Sequence, residues 1–174
     1  MRATREWSPR KINFSVSEAC MKMKVVRLMM AITADQGVIV KWFVNSPFDS
    51  NHMANFLKAI YNVVPLPAHI FVDNASYHTS RATRAELKRL RFRVIYNKPY
   101  NPAYNPIEYT FASIKNEFRK MRLKSLRAGD NTPPEVLVRR AVNTCTQKSV
   151  RNTIIHVLKK WQDTDEWKAI SGAL

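Results

Sequence analysis

A carboxylate stands at the end of an apolar run in the stretch FVDNASYHTS, residues 71–80. The run stops at Asp73, and a histidine, His78, follows five residues later. An aspartate at such a place is commonly a helix cap or a turn residue. It can equally be a metal ligand, because carboxylate oxygens are the donors that hard divalent cations prefer. The residues around Asp73 leave both readings open.

A second carboxylate, Glu108, closes the stretch KPYNPAYNPIE, residues 98–108. Three prolines stiffen this loop, and Asn105 and Pro106 are suited to the cap and first position of a following helix. Glu108 would then lie in the first turn, where the helix dipole favours a negative charge. Each carboxylate alone has this ordinary explanation. Both, however, follow strands at the edge where α/β sheets place their sites, so together they predict a shared metal site.

The overall charge favours a polyanionic partner. The 174-residue chain has 29 Lys and Arg against 13 Asp and Glu, a net charge of +16. Nucleic acid is the first candidate and an anionic membrane surface the second. Cys20 and Cys145 lie far apart, which disfavours a zinc site or a disulfide framework. Because no apolar run is long enough to cross a membrane and no secretory segment is recognisable, a soluble intracellular protein is expected.

The hydrophobic pattern predicts strands alternating with helices. Strands are expected at residues 12–17, 25–33, 38–44, 70–73 and 93–96. Helices are expected at residues 50–61, capped by Ser50, and at 79–90, 107–121, 134–145 and 150–161. Thr132 and Glu135 have the spacing of a capping box. This order is typical of a single α/β domain with a mixed sheet, whose middle strands are parallel neighbours.

The two motifs together resemble the DDE transposases of the Tc/mariner superfamily. Those enzymes have a strand ending in Asp-Asn with a histidine a few residues on, and a proline-rich loop ending in Asn-Pro-Ile-Glu. Here these are VDNASYHTS and KPYNPAYNPIE, with Asn101 where serine is usual. The 34 residues that separate Asp73 from Glu108 match the spacing in one branch of the superfamily. The stretch WSPR, residues 7–10, resembles the family's tryptophan-containing loop. The resemblance spans residues 5 to 125.

The resemblance implies a ribonuclease-H-like α/β fold, in which helices flank a mixed sheet. It also implies an active site that binds two Mg²⁺ or Mn²⁺ ions and that cuts and joins DNA strands. Asp73 and Glu108 are the implied catalytic metal ligands. The family's first aspartate lies on a central strand ahead of the tryptophan loop, and that strand is expected to be missing here. Glu18 is the one plausible substitute. The hairpin and the strand at 70–73 would then face each other across a gap that residues 12–17 partly fill, and activity would be severely reduced or lost.

Further roles are expected around the two carboxylates. Asn74 is expected to orient Asp73 or to form a turn, and His78 to be an active-site neighbour or a polar residue of the next helix. Asn105 would support Glu108. The basic residues expected to contact DNA are Lys98, Lys115, Arg119, Lys120, Arg122 and Lys124.

The expected organisation is a partial catalytic domain at residues 1–125 with a helical segment, 126–174, packed on it. Expected partners are transposon ends and target DNA, with a homodimer forming in the synaptic complex and no membrane contact. A eukaryotic host would place the protein in the nucleus. Two alternatives remain open: a catalytically dead, basic DNA-binding remnant or domesticated module, and a protein that serves RNA or ribosome assembly.

Overall fold

A β-hairpin begins the part of the chain that the computed structural model describes, residues 25–98 and 101–162. Strand β1 (Arg27–Thr33) pairs antiparallel with β2 (Gly37–Val44). Gly37 closes the turn with a φ of 78°, a conformation that L side chains rarely adopt. The register shifts by a bulge between Ala31 and Ile32. The predicted hairpin is confirmed, whereas the strand predicted at 12–17 lies outside the described residues.

Helix α1 (Ser50–Tyr61) follows the hairpin and buries Met53, Phe56, Leu57 and Ile60 on one face. Its cap is Asp49, whose carboxylate accepts a hydrogen bond from the main-chain N–H of His52 at 2.8 Å. The prediction that Ser50 caps this helix was wrong. Both side chains can accept that bond, and the extended backbone of Asp49 decides which one does.

Strands β3 (His69–Val72) and β4 (Arg93–Tyr96) are parallel neighbours, as predicted. They are joined by the short helix α2 (Ser76–Thr79) and by α3 (Arg81–Arg89), rather than by one helix starting at Thr79. Ser80 separates the two because its extended backbone ends α2, while its hydroxyl accepts the Thr83 N–H of α3.

Helix α4 (Pro106–Arg127) is longer than the predicted helix at 107–121. A 3₁₀ turn (Pro102–Tyr104) precedes it. Residues 122–127 contain no glycine or proline, and the first strong stop signal is Gly129, which has a φ of 64°. The helix therefore continues for almost two turns past Met121.

Helices α5 (Pro134–Asn143) and α6 (Gln147–Gln162) complete the described chain. The predicted capping box at the start of α5 is wrong. The Thr132 hydroxyl bonds the Asp130 carboxylate instead, and Pro133 caps the helix without a side-chain hydrogen bond. Thr146 accepts the Ser149 N–H at 3.1 Å, so α6 begins earlier than the predicted residue 150. None of the helices in the described ranges is long and apolar enough to cross a membrane.

The described strands form two separate two-stranded sheets, β1–β2 and β3–β4. Between β1 and β3 lies a cavity of about 520 Å³, lined largely by apolar side chains of these strands and of α4 and α6. Within residues 25–98 and 101–162, no strand bridges β1 and β3.

Two hydrophobic clusters lie on opposite sides of β1. Met29 belongs to the cluster formed with α1 and α3, whereas Met30 packs with Ile114 of α4 and with Ala141 and Val142 of α5. Successive residues of a strand point to opposite faces, so adjacent methionines serve both clusters. Helices therefore cover both faces of the hairpin, as expected for a mixed α/β domain.

Shortening Leu57 tests the first of these clusters. Leu57 is 0% exposed at the centre of α1, so Leu57→Ala should lower the free energy of unfolding by about 2–5 kcal/mol. Urea denaturation measures this change. Lys58→Ala on the exposed side of the same helix is the control and should have little effect. A similar loss in both variants would contradict the assignment of this core.

Candidate active site

Asp73 lies directly after β3, and its carboxylate is held by local hydrogen bonds. Its Oδ1 accepts the main-chain N–H of Ala75 at 2.9 Å and lies 2.5 Å from Nδ1 of His78. The Asp73 side chain remains 43% exposed. One oxygen is thus fixed by the protein, while Oδ2 has no hydrogen-bond partner among the described residues.

His78 contacts Asp73 from the short helix α2. Its side chain is 15% exposed, and the ring of Tyr77 packs edge-on against it at 4.4 Å between centroids. Of the two readings open from sequence, the geometry is that of a direct neighbour of Asp73. Such a contact limits the rotation of the carboxylate.

Tyr77 lies in the same corner and lines the cavity beside Asp73. Burial, and then the negative charge of Asp73, raise the pKa of the Tyr77 hydroxyl above its ordinary value. Both causes disfavour the phenolate, so Tyr77 presents a neutral hydroxyl to this part of the cavity at ordinary pH.

Asn74 joins the ends of the two parallel strands. Its amide donates a 2.5 Å hydrogen bond to the carbonyl of Asn97, which follows β4, and Asn97 in turn donates to the carbonyl of Asn101. The sequence suggested that Asn74 orients Asp73 or forms a turn. In the structure its side chain bonds Asn97 rather than Asp73, so it fixes the strand end from which Asp73 projects.

Glu108 lies in the first turn of α4 and is exposed. Asn105 caps this helix as predicted, accepting the Ile107 N–H at 3.2 Å, and is itself only 5% exposed. Pro106 occupies the first helical position. The cap fixes where the helix begins, and hence where Glu108 leaves the backbone. Its carboxylate has no hydrogen bond within the described residues.

Four of the predicted site residues line the cavity between the two sheets: Asp73, His78, Asn105 and Glu108. Two carboxylates with uncommitted oxygens are a donor set that fits Mg²⁺ or Mn²⁺. Within residues 25–98 and 101–162, no group of three or more His, Cys, Asp or Glu side chains could hold a metal ion. The described residues therefore supply two carboxylates of such a site.

The basic residues predicted to contact DNA divide between two faces of α4. Because an α-helix turns by about 100° per residue, three of them lie within about 40° of Glu108: Lys115, Arg119 and Arg122. Lys120 and Lys124 lie about 120° and 160° away from Glu108. Lys120 pairs with Glu117 at 2.7 Å. Lys98 is exposed and lies two residues after the end of β4.

Two residues at this site were missed from sequence. Asn97 is 5% exposed and links β3, β4 and the following loop. For Trp161, the helical spacing with Val150 and Val157 indicates only that the side chain is buried. That spacing does not reveal its contacts with Phe71 and Tyr104, which lie on the two elements that bear the carboxylates.

Comparison with known protein families identifies the class. A family model described as DDE superfamily endonuclease matches residues 2–128, which is most of the chain. No curated protein matches the chain. The chain therefore belongs to the DDE superfamily endonuclease family.

Solved structures agree in fold. The Mos1 transposase catalytic domain with raltegravir and Mg aligns with a TM-score of 0.58 and 16% identity, covering 79% of this chain and 72% of that chain. The Mos1 mariner paired-end complex with Mn gives a TM-score of 0.65 and 17% identity, covering 93% of this chain and 49% of that chain. The simian T-cell lymphotropic virus intasome with PP2A regulatory subunit B56 gamma aligns with a TM-score of 0.53 and 22% identity, covering 67% of this chain and 41% of that chain.

The fold is therefore the ribonuclease-H-like fold of the Mos1 transposase catalytic domain. The chain spans about half of the length of the Mos1 chain in the paired-end complex.

Removing the cap of α4 tests how Glu108 is positioned. Asn105→Ala leaves the Ile107 N–H without its acceptor and should lower the free energy of unfolding by about 1 kcal/mol, measured in urea. Asn105→Ser should restore most of the loss. Asn101→Ala is the control, because the Asn101 side chain makes no cap hydrogen bond. Equal losses for Asn101→Ala and Asn105→Ala would contradict the role of the cap.

Proposed function

We propose that this chain is the catalytic domain of a transposase that cuts and joins DNA strands in a metal-dependent reaction. The observation that carries the proposal is that Asp73 and Glu108 line one cavity in a member of the DDE superfamily endonuclease family. Asp73 directly follows β3 and Glu108 lies at the start of α4, so β3 ends and α4 begins at this cavity.

Asp73 and Glu108 would hold the metal. When bound, Mg²⁺ or Mn²⁺ would supply activation of a water or 3′-hydroxyl and charge relief on the leaving oxygen. His78 and the Ala75 N–H hold one oxygen of Asp73, so the other oxygen would be the one that binds the ion. Asn105 fixes the origin of Glu108. The solved Mos1 structures with Mg and with Mn support this choice of cation.

DNA is the proposed partner, because Mos1 is solved in complexes with transposon ends and in a strand transfer complex. Lys115, Arg119 and Arg122 continue along the side of α4 that carries Glu108, and with a rise of about 1.5 Å per residue they extend about 20 Å from it. Phosphates entering the cavity would therefore meet positive charge along this stripe. Lys98, Lys120 and Lys124 would add attraction at longer range.

A second candidate function is that of a DNA-binding module without chemistry. The net charge of +16 favours it, because binding to phosphates needs no metal site, and the described residues supply two carboxylates rather than three. In either case the protein would act on DNA as a homodimer and, in a eukaryotic host, in the nucleus.

A nicking assay on supercoiled DNA separates these functions. With Mn²⁺, the chain should produce slow nicking that disappears in Glu108→Gln and in Asp73→Asn, because each variant removes a charged ligand while keeping the size of the side chain. Lys148→Gln, at an exposed lysine outside the proposed DNA-binding residues, is the control and should nick like the unaltered chain.

The other outcomes are equally informative. DNA binding that weakens steeply with salt, without any nicking, would favour the DNA-binding module. Nicking that persists in Glu108→Gln would come from a contaminating nuclease and would remove the support for the enzyme. A marked preference for RNA over DNA would contradict both functions.

The stripe along α4 makes a separate prediction about DNA affinity. Replacing Lys115 and Arg119 together by alanine should weaken binding to duplex DNA and reduce the slope of log K against log salt by about 2, because two phosphate contacts are lost. The matched control replaces Lys120 and Lys124, which carry the same charge on another face. Fluorescence anisotropy over a salt series measures both, and an equal effect of the two pairs would place DNA elsewhere.

A further inference from the structure

Trp161, near the end of α6, touches both elements that carry the carboxylates. It is 6% exposed and lines the cavity together with three other side chains of α6, Ile154, Val157 and Leu158. Helix α6 lies beyond residues 2–128, the part of the chain that the family model matches. This wall of the cavity is therefore contributed by a segment outside the matched region.

Toward β3, the Trp161 ring packs edge-on against Phe71, with centroids 5.6 Å apart and planes at 89°. Phe71 and Asp73 are two residues apart at the end of an extended segment, so their side chains leave the same face of the sheet. At about 3.3 Å per residue, this contact lies about 7 Å along the chain from Asp73. The indole therefore supports the face from which Asp73 projects.

Toward α4, Trp161 makes a polar contact as well as a packing contact. Its Nε1–H donates a 2.9 Å hydrogen bond to the carbonyl of Tyr104, and the two rings lie 5.6 Å apart. Tyr104 directly precedes Asn105, the cap that sets the start of α4 and hence the place of Glu108. The neighbouring Lys160 adds a 2.7 Å hydrogen bond to the hydroxyl of Tyr109, one residue beyond Glu108.

We propose that Trp161 is a positioning residue that sets the separation of Asp73 and Glu108. The inference rests on the proposed function, since a shared metal site is what makes that separation matter. Trp161 packs against Phe71, two residues before Asp73, and against Tyr104, the residue before the cap of α4, so one side chain contacts both segments that carry the carboxylates. The contact with Phe71 is made by the indole ring, and the contact with Tyr104 is made by the ring and by the Nε1–H.

Amide hydrogen exchange tests the positioning without any metal. Trp161→Phe keeps an aromatic ring for Phe71 but removes the N–H, so exchange at Tyr104, Asn105 and Glu108 should accelerate about 5-fold while β3 changes less. Trp161→Ala should accelerate exchange in both segments. Trp42→Phe is the matched control, because Trp42 packs edge-on against Phe56 of α1 at 5.3 Å and is not among the residues that line the cavity. Changes in the two segments no larger than those of Trp42→Phe would overturn the proposal.

Mn²⁺ binding tests the consequence of this positioning for the metal site. The electron paramagnetic resonance signal of the free ion measures the binding. Trp161→Ala should weaken binding about 10-fold or more, Trp161→Phe should weaken it less, and Trp42→Phe should leave it unchanged. An affinity in Trp161→Ala within 2-fold of the unaltered chain would overturn the role of Trp161 in the site. Unchanged affinity in Asp73→Asn would instead overturn the proposed metal site, and the exchange measurement would still decide whether Trp161 fixes the two segments.

Discussion

The packing of helices across a gap between two small sheets is the constraint on which the described structure depends. In a continuous sheet, main-chain hydrogen bonds fix the position of each strand relative to the next. Between β1 and β3 the described residues form no such ladder. Helices α1 and α3 pack on one face of the hairpin, and α4 and α5 pack on the other. The adjacent residues Met29 and Met30, which enter different clusters, show how directly the hairpin depends on both layers.

The candidate site depends on this packing, because its two carboxylates lie on different elements: Asp73 directly after β3 and Glu108 in the first turn of α4. Each is fixed locally by polar contacts: Asp73 by His78 and the Ala75 N–H, and Glu108 by the helix that Asn105 caps. Local contacts determine how each carboxylate leaves the backbone but not how far apart the two are. That distance is a tertiary quantity, set by α6 and the 3₁₀ turn where they meet the ends of β3 and α4.

The difference between local and tertiary quantities also explains what the sequence could predict. Asp73, Glu108 and the Asn105 cap follow from short patterns, and so do the hairpin and the parallel pair. Predictions that had to choose between neighbouring polar side chains were wrong: Asp49 caps α1 in place of Ser50, and Thr132 bonds Asp130 instead of capping α5. In each case more than one side chain can make the hydrogen bond, so the sequence does not decide between them. The contacts of Trp161 and the linking role of Asn97 join segments distant in the chain, and periodicity contains no information about such partners.

The amides that join Asn74, Asn97 and Asn101 have a consequence for how the protein can be handled. They carry no charge, so screening by salt, which acts on interactions between charges, leaves this joint between the strand ends intact. A protein with a net charge of +16 needs concentrated salt to be stripped of polyanions during purification. The strand ends that carry Asp73 should pass through that step with their geometry preserved.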